Sequence, residues 1–173
     1  LQKRFKFDWI NFVDDVFTID IRWLREFAPK YKKHFKIPYT CNARIEAMRE
    51  ESYQLLVDSG CHSLEMGIES GSEPLRRKVL ERKMTNQKII EAFDLAHKYG
   101  LKTMSFNMIG IPYETKNNIK ETIRLNRRLN PSSIQVSMFQ PYPGTGLYDI
   151  CEKNGWLNGK PIPFSYFMDT AVT

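Results

Sequence analysis

Between Trp9 and Gln140, five segments alternate apolar and polar side chains with a period of two, and the stretches between them carry apolar residues at helical spacing. The segments are residues 9–15, 38–44, 62–69, 102–110 and 132–140. Strands in regular alternation with helices predict five βα units and a parallel sheet, because parallel neighbours need a crossover between them. The spacing predicts one helix over 20–35, with Ile21, Leu24, Phe27 and Tyr31 on one face, and another over 50–59, stopped by Gly60. Thr85 and Thr115 read as N-caps of two longer helices, and Pro74 suits the first turn of a short one in "SEPLRRKVL".

The period within the strands narrows the fold further. Strands buried on both faces read as continuous apolar runs, and a closed eight-stranded barrel fills its interior with branched apolar side chains. Here Tyr39, Cys41 and Ala43 alternate with Thr40, Asn42 and Arg44, and Leu64, Met66 and Ile68 with Ser63, Glu65, Gly67 and Glu69. Met104, Phe106 and Met108 alternate with Thr103, Ser105 and Asn107, then Ile134, Val136 and Met138 with Ser133, Gln135 and Ser137. The expectation is an α/β fold, a partial (β/α) TIM-like barrel, with apolar faces under the helices and polar faces turned to a shared cavity. A half-exposed sheet with helices on one side predicts the same alternation.

At 173 residues and 42% hydrophobic content, the chain suffices for one domain with a sizeable core. Residues 1–157 read as the barrel and 158–173 as a tail that covers a sheet edge or begins another domain. No apolar run is long enough to cross a bilayer, and the start "LQKRFKFDW" lacks the pattern of a signal peptide, so a cytoplasmic protein without a membrane partner is expected. Cys41, Cys61 and Cys151 lack metal-ligand spacing and read as ordinary buried thiols, giving no metal site. The net charge of +6 is spread along the chain, with "KYKKHFK" and "RRKVLERK" as solvated helix faces, which argues against a nucleic-acid partner.

Ligands of parallel α/β folds bind at the carboxyl ends of the strands, which makes the terminal strand residues the site candidates: Asp14, Asp15, Arg44, Glu69, Ser70, Asn107, Gly110 and Gln140. Strand neighbours face opposite ways, so Asp14 and Asp15 cannot both reach the cavity. With Ile10 and Phe12 under the helices, Asp15 points inward and can hold a cation, while Asp14 serves neighbouring donors or caps the turn. "GIESGSEP" joins a strand end, the carboxylate Glu69 and a glycine turn, suited to ribose hydroxyls or an amine. "MIGIPYET" offers backbone groups around Gly110 and Ile111 as a slot for a flat ring, and "FQPYPGTGLY" closes the last strand.

Taken in order, "FVDDVFT", "CNAR", "GCHSLEMGIESGS", "MIGIPYET" and "PYPGTGLY" resemble the radical S-adenosylmethionine (SAM) superfamily, in particular its branch with a cobalamin-binding domain upstream. The resemblance implies a partial (β/α) barrel that binds SAM beside a [4Fe–4S] cluster, for reductive cleavage or cobalamin-dependent methyl transfer. Carried over by position, Asp14 and Asp15 fall on the contact to the methionine amine, and Glu69 and Ser70 on that to the ribose or carboxylate. Ile109 to Pro112 fall on the adenine turn, and Arg44 on an arginine that meets substrate or carboxylate. Tyr113 stands where the family pattern has glycine.

The family's CxxxCxxC cluster loop is missing from this sequence. The chain is then either a fragment or a degenerate relative that lost the chemistry; its abrupt basic and aromatic start favours the carboxyl part of a radical SAM enzyme, inactive alone, with an open strand edge that invites self-association. Two other readings are a hydrolase or lyase using Asp15 and Glu69, and a non-catalytic module for a nucleotide-like ligand or a partner. The substrate is not specified by these residues.

Overall fold

A computed structural model describes residues 4–159 and 170–172. Five strands, β1 (Ile10–Phe12), β2 (Tyr39–Ala43), β3 (Cys61–Glu69), β4 (Lys102–Ile109) and β5 (Ser133–Met138), form one parallel sheet in sequence order. The sheet curls into a half-barrel, a partial TIM-like barrel, as the alternation anticipates. Helices α1 (Ile21–His34), α2 (Glu50–Ser59), α4 (Asn86–Lys98) and α5 (Lys116–Leu129) form the crossovers, with the short α3 (Glu73–Lys78) after β3 and α6 (Gly146–Lys153) after β5.

The helix ends fall where local chemistry stops them. The Asp20 carboxylate accepts from Arg22 N at 2.9 Å, Thr85 Oγ1 from Lys88 N at 3.1 Å, and Thr115 and Asn118 cap each other reciprocally. Gly60, at φ 95°, ends α2 in the left-handed conformation that only glycine adopts without strain.

The main core lies between the helices and the outer face of β1–β3. Leu24, Tyr39, Cys41, Tyr53, Leu56, Leu64, Met66, Ile68, Ile89 and Phe93 are buried there, and Phe12, Phe17, Phe27, Tyr31 and Tyr39 make an aromatic cluster at the β1 end. β1 is shorter than its sequence pattern. The chain leaves the sheet after Phe12 and is tied to β2 by Asn42, which donates to Asp14 O at 3.1 Å and accepts from Phe17 N at 3.2 Å.

β4 departs from expectation. Laterally paired residues of a parallel sheet share a face, and Leu64 pairs with Thr103 and Met66 with Ser105. The polar Thr103, Ser105 and Asn107 are therefore the buried, helix-side residues, while Met104, Phe106 and Met108 turn to the concave side. The reversal is stable because the helices supply polar partners. Ser105 Oγ donates to Asn126 Oδ1 at 2.6 Å, Asn126 Nδ2 to Asn107 Oδ1 at 2.8 Å, and Thr103 Oγ1 lies 3.1 Å from His97 Nε2. Ile134 and Val136 of β5 continue the helix side but line an open groove with Ile119 and Ile123. Of the tail, the described ends pair with each other and with the segment after β5: Leu157 bridges to Val172, and Thr170 Oγ1 donates to Phe139 O at 2.6 Å. Residues 160–169 lie outside the described residues.

Candidate ligand site at the strand ends

The carboxyl ends of β1–β3 border a cavity of about 450 Å³ lined by Asp15, Asn42, Arg44, Glu65, Gly67, Glu69, Arg82 and Phe106 among others. Glu69 ends β3 at φ 66°, beside a shift in register against β4, and this left-handed step breaks the regular alternation. Its carboxylate folds back over Gly67, where a Cβ would lie 2.5 Å from Glu69 Oε1 and 3.2 Å from Arg82 Nη1. A side chain at that position would push the ends of these two flexible side chains aside.

Arg82 reaches the cavity from the far side of α3, after a left-handed turn at Glu81. Its Nη1 donates to Glu69 Oε1 at 2.7 Å, and Nη2 lies 3.6 Å from Glu46 Oε2, which is also 3.6 Å from Arg44 Nε. Carboxylates and guanidiniums thus alternate along the rim. Burial raises the Glu69 carboxyl above its ordinary value, Arg82 opposes the rise and Glu46 adds to it. Burial also raises Glu65, which lines the same cavity.

The structure brings Asp15, Arg44 and Glu69 together and separates the other candidates from them. Asp14 borders a different groove with Phe12, Phe17, Trp23 and Phe27, on the helix side. Ser70 is fully buried behind the sheet end, where its hydroxyl accepts from Ser72 N at 3.3 Å. Asn107, expected on the cavity face, lies instead beneath α5, because the β3–β4 register turns its side chain outward. Ile109 borders the outer groove of α5 and β5, Gly110 donates its N–H to Glu114 Oε2 at 2.7 Å, and Ile111 is buried with Leu75, Phe139 and Cys151. Tyr113 adopts φ 65°, the backbone conformation that suits glycine, and its ring meets Trp156 edge-on at 5.0 Å. Gln140 is buried, with its Oε1 accepting from Ala171 N at 3.3 Å, beside an apolar cavity of about 410 Å³ lined by Met108, Met138, Tyr142 and Leu147.

Arg82, Glu65 and Asn42 complete the cavity, with Glu46 paired to Arg82 and Arg44 beside it, and none of the four is among the residues that sequence reasoning singles out. Asn42 and Glu65 were already on the predicted inner face. Arg82 carried no signal, because "RRKVLERK" looks like a solvated basic face and only the turn at Glu81 brings one of its arginines inward.

A parallel half-barrel with a charged cavity at the carboxyl ends of its strands belongs to the ligand-binding (β/α) barrels. The model of the radical SAM superfamily matches residues 7–125, most of the chain, and the chain belongs to that superfamily. An uncharacterised methyltransferase of Pyrococcus horikoshii is 30% identical over 149 residues, covering 86% of this chain and 32% of that protein. An oxygen-independent coproporphyrinogen III oxidase of Helicobacter pylori is 25% identical over 121 residues, covering 69% of this chain and 26% of that protein. The chain therefore spans about a third or less of these relatives.

Among solved structures, the fold is shared with the radical SAM methyltransferase TsrM of Kitasatospora setae, at a TM-score of 0.74 and 18% identity over 89% of this chain and 30% of that one. It is shared also with coproporphyrinogen III oxidase HemN of Escherichia coli, at a TM-score of 0.71 and 15% identity over 79% and 32%. Membership implies SAM and a [4Fe–4S] cluster in the family's chemistry. Among the described residues no helix is long and apolar enough to cross a membrane.

Proposed function

We propose that this chain forms the SAM-binding part of a radical SAM methyltransferase, with the cavity at the ends of β1–β3 as the SAM site. The observation that carries this reading is the convergence of Asp15, Arg44, Glu69 and Arg82 on one cavity. Asp15 accepts from the methionine ammonium, Arg44 and Arg82 face the methionine carboxylate, and Glu69 accepts from the ribose hydroxyls. Charge-assisted hydrogen bonds of this kind orient a ligand as well as hold it. SAM supplies the methyl group or, on reductive cleavage, the adenosyl fragment. The turn from Ile109 to Pro112, where the family pattern puts the adenine, lies outside the lining of this cavity, with the Gly110 N–H already taken by Glu114.

The described residues do not fit the cluster. No three His, Cys, Asp or Glu side chains gather to hold a metal ion, and Cys41, Cys61 and Cys151 are buried. A hydrogen bond with Cys61, together with burial, holds the Cys41 thiol far above the ordinary thiol range and so protonated, the wrong state for an iron ligand. The chain is thus read as one part of a larger enzyme, with the cluster loop on another segment and no activity of its own. The printed name of the Pyrococcus relative favours methyl transfer, and the TsrM structure, with cobalamin and a [4Fe–4S] cluster bound, supports cobalamin as a further cofactor. The link already made between Glu69 and Arg82 disfavours a hydrolase or lyase using Asp15 and Glu69 as a free acid–base pair.

Calorimetric titration of the chain with SAM tests the site. Binding that weakens on the order of tenfold or more in Asp15→Asn and in Glu69→Gln supports it; SAM binding that neither change alters sinks it. The fragment reading is checked by sequencing the source DNA for a CxxxCxxC motif upstream of Leu1, whose absence would leave a ligand-binding module. Among the described residues β1 pairs only with β2, and its open edge is the proposed route of self-association. A strictly monomeric species in light scattering at high concentration would dismiss that route.

A further inference from the structure

The largest fully buried side chain among the described residues is an arginine. Arg76, on α3, is 0% exposed and has no carboxylate among its hydrogen-bond partners. Its guanidinium donates to the backbone carbonyl of Ser70, to Met84 O at 3.1 Å and to Asn86 Oδ1 at 2.8 Å, while Nε has no partner. Its own carbonyl accepts from Arg82 N at 3.0 Å. A buried guanidinium is costly, and an apolar residue would fill the same space at lower cost. What an apolar residue cannot do is hold three acceptors in the fixed geometry of a planar fork.

The acceptors belong to the two segments that build the cavity rim. Ser70 follows Glu69 directly, and the run from Arg82 to Asn86 carries the cation that pairs with it. Asn86 tightens the same joint: its N–H donates to Glu73 Oε1 at 2.6 Å and its Nδ2 to Gly71 O at 3.0 Å. Gly71 packs so closely on the backbone of Glu121 and Thr122 that no Cβ fits, and its N–H donates to Thr122 Oγ1 at 2.8 Å. The β3–α3 turn is thus pinned from α3, from the 82–86 segment and from α5.

We propose that Arg76 is the positioning residue of the site: by clamping the Ser70 carbonyl to the 82–86 segment, it holds the Glu69 carboxylate and the Arg82 guanidinium in the one arrangement in which both face the cavity. Arg76 does not touch the ligand. It acts through the backbone on either side of the pair. Its importance for SAM binding rests on the reading under Proposed function, whereas its hold on the pair does not.

The test uses the full chain with Arg76→Met, Arg76→Lys and the gentler Asn86→Ala, which removes one anchor and leaves the buried charge. Carbon-13 NMR of the Glu69 carboxyl reports the pair without any ligand. In the parent the resonance titrates above the ordinary Glu range and responds to Arg82→Gln. In Arg76→Met and Asn86→Ala it moves back toward ordinary values as the turn opens to water, and loses that response. SAM affinity falls on the order of tenfold to a hundredfold in Arg76→Met, the scale expected for a small misplacement of binding groups, and Arg76→Lys recovers part of it. A thermal melt run alongside separates this from simple destabilisation.

If the folded variants keep the Glu69 titration and its response to Arg82→Gln while only the melting temperature falls, Arg76 is structural and the proposal is overturned. If Arg76→Met does not fold, Asn86→Ala decides on the same readings. Should the parent fail to bind SAM, the SAM reading fails, and the NMR titration still judges the clamp.

Discussion

The two halves of the sheet solve the same problem in opposite ways. β1–β3 bury Tyr39, Cys41, Leu64, Met66 and Ile68 against the helices and turn Asn42, Arg44, Glu65 and Glu69 toward the cavity. β4 buries Thr103, Ser105 and Asn107 and turns Met104, Phe106 and Met108 toward the cavity side. The first half is held by apolar burial, which is tolerant of direction. The second is held by a network in which each donor needs its acceptor, so the half-barrel presents a charged wall beside an apolar one. A ligand with a zwitterionic end and a flat ring matches that division.

The comparison can be broken first at Leu64. Leu64→Ala removes a fully buried side chain from the apolar half and is expected to cost about 2–5 kcal/mol in urea unfolding, depending on how far the cavity collapses. Next comes Asn126→Leu, which leaves Ser105 and Asn107 without their partner and should cost about 1–3 kcal/mol. Replacing Ser105, Asn107 and Asn126 together by apolar residues of similar size should recover much of that loss, as pairwise removal of buried polar groups allows. If the triple variant is no better than Asn126→Leu, the network is not what holds this half.

A smaller effect should appear in pH dependence. Glu69 has its carboxyl raised above the ordinary 4.5, so the folded state holds the proton more tightly than the unfolded state. Its contribution to stability is therefore fully present below 4.5 and is lost as pH rises through the raised value. Glu69→Gln removes this slope, and the stability of the parent relative to the variant should decline across that window. Parallel profiles would show that burial does not govern this carboxyl.

The smallest effect is expected on the outer face of β5. Ile134 is 53% exposed, and Ile134→Ser should change stability by no more than about 0.5 kcal/mol if nothing covers the groove. A loss of several times that size would mean the groove is filled in solution.

The fold was readable because strand period, helix period and caps agree along the chain, and no long-range information is needed to see five crossover units. The site was readable where a residue's direction follows from its own strand. Asn42 and Glu65 lie within β2 and β3 and face the cavity as their alternation predicts, whereas Asp15 and Arg44 lie beyond the strand ends and Glu69 sits at a left-handed step, so the turns there carry them to the cavity. It was unreadable where direction depends on a neighbour. Asn107 looked like a cavity residue because a polar strand face ordinarily points away from helices, and nothing local announces that Asn126, nineteen residues later, will satisfy it.

What the sequence by itself determined is the order of the elements, the parallel sheet and the superfamily, since these rest on periodicity and on short motifs that each segment carries alone. Only the tertiary structure decided which face of β4 lies under the helices, because a two-residue period fixes that faces differ but not which is buried when the covering helix is itself polar. It also decided the fate of the arginines in "RRKVLERK": one is fully buried as a clamp, another is turned by Glu81 into the cavity. Charge and hydropathy are identical for both, and their roles were set by packing across the β3–α3 turn.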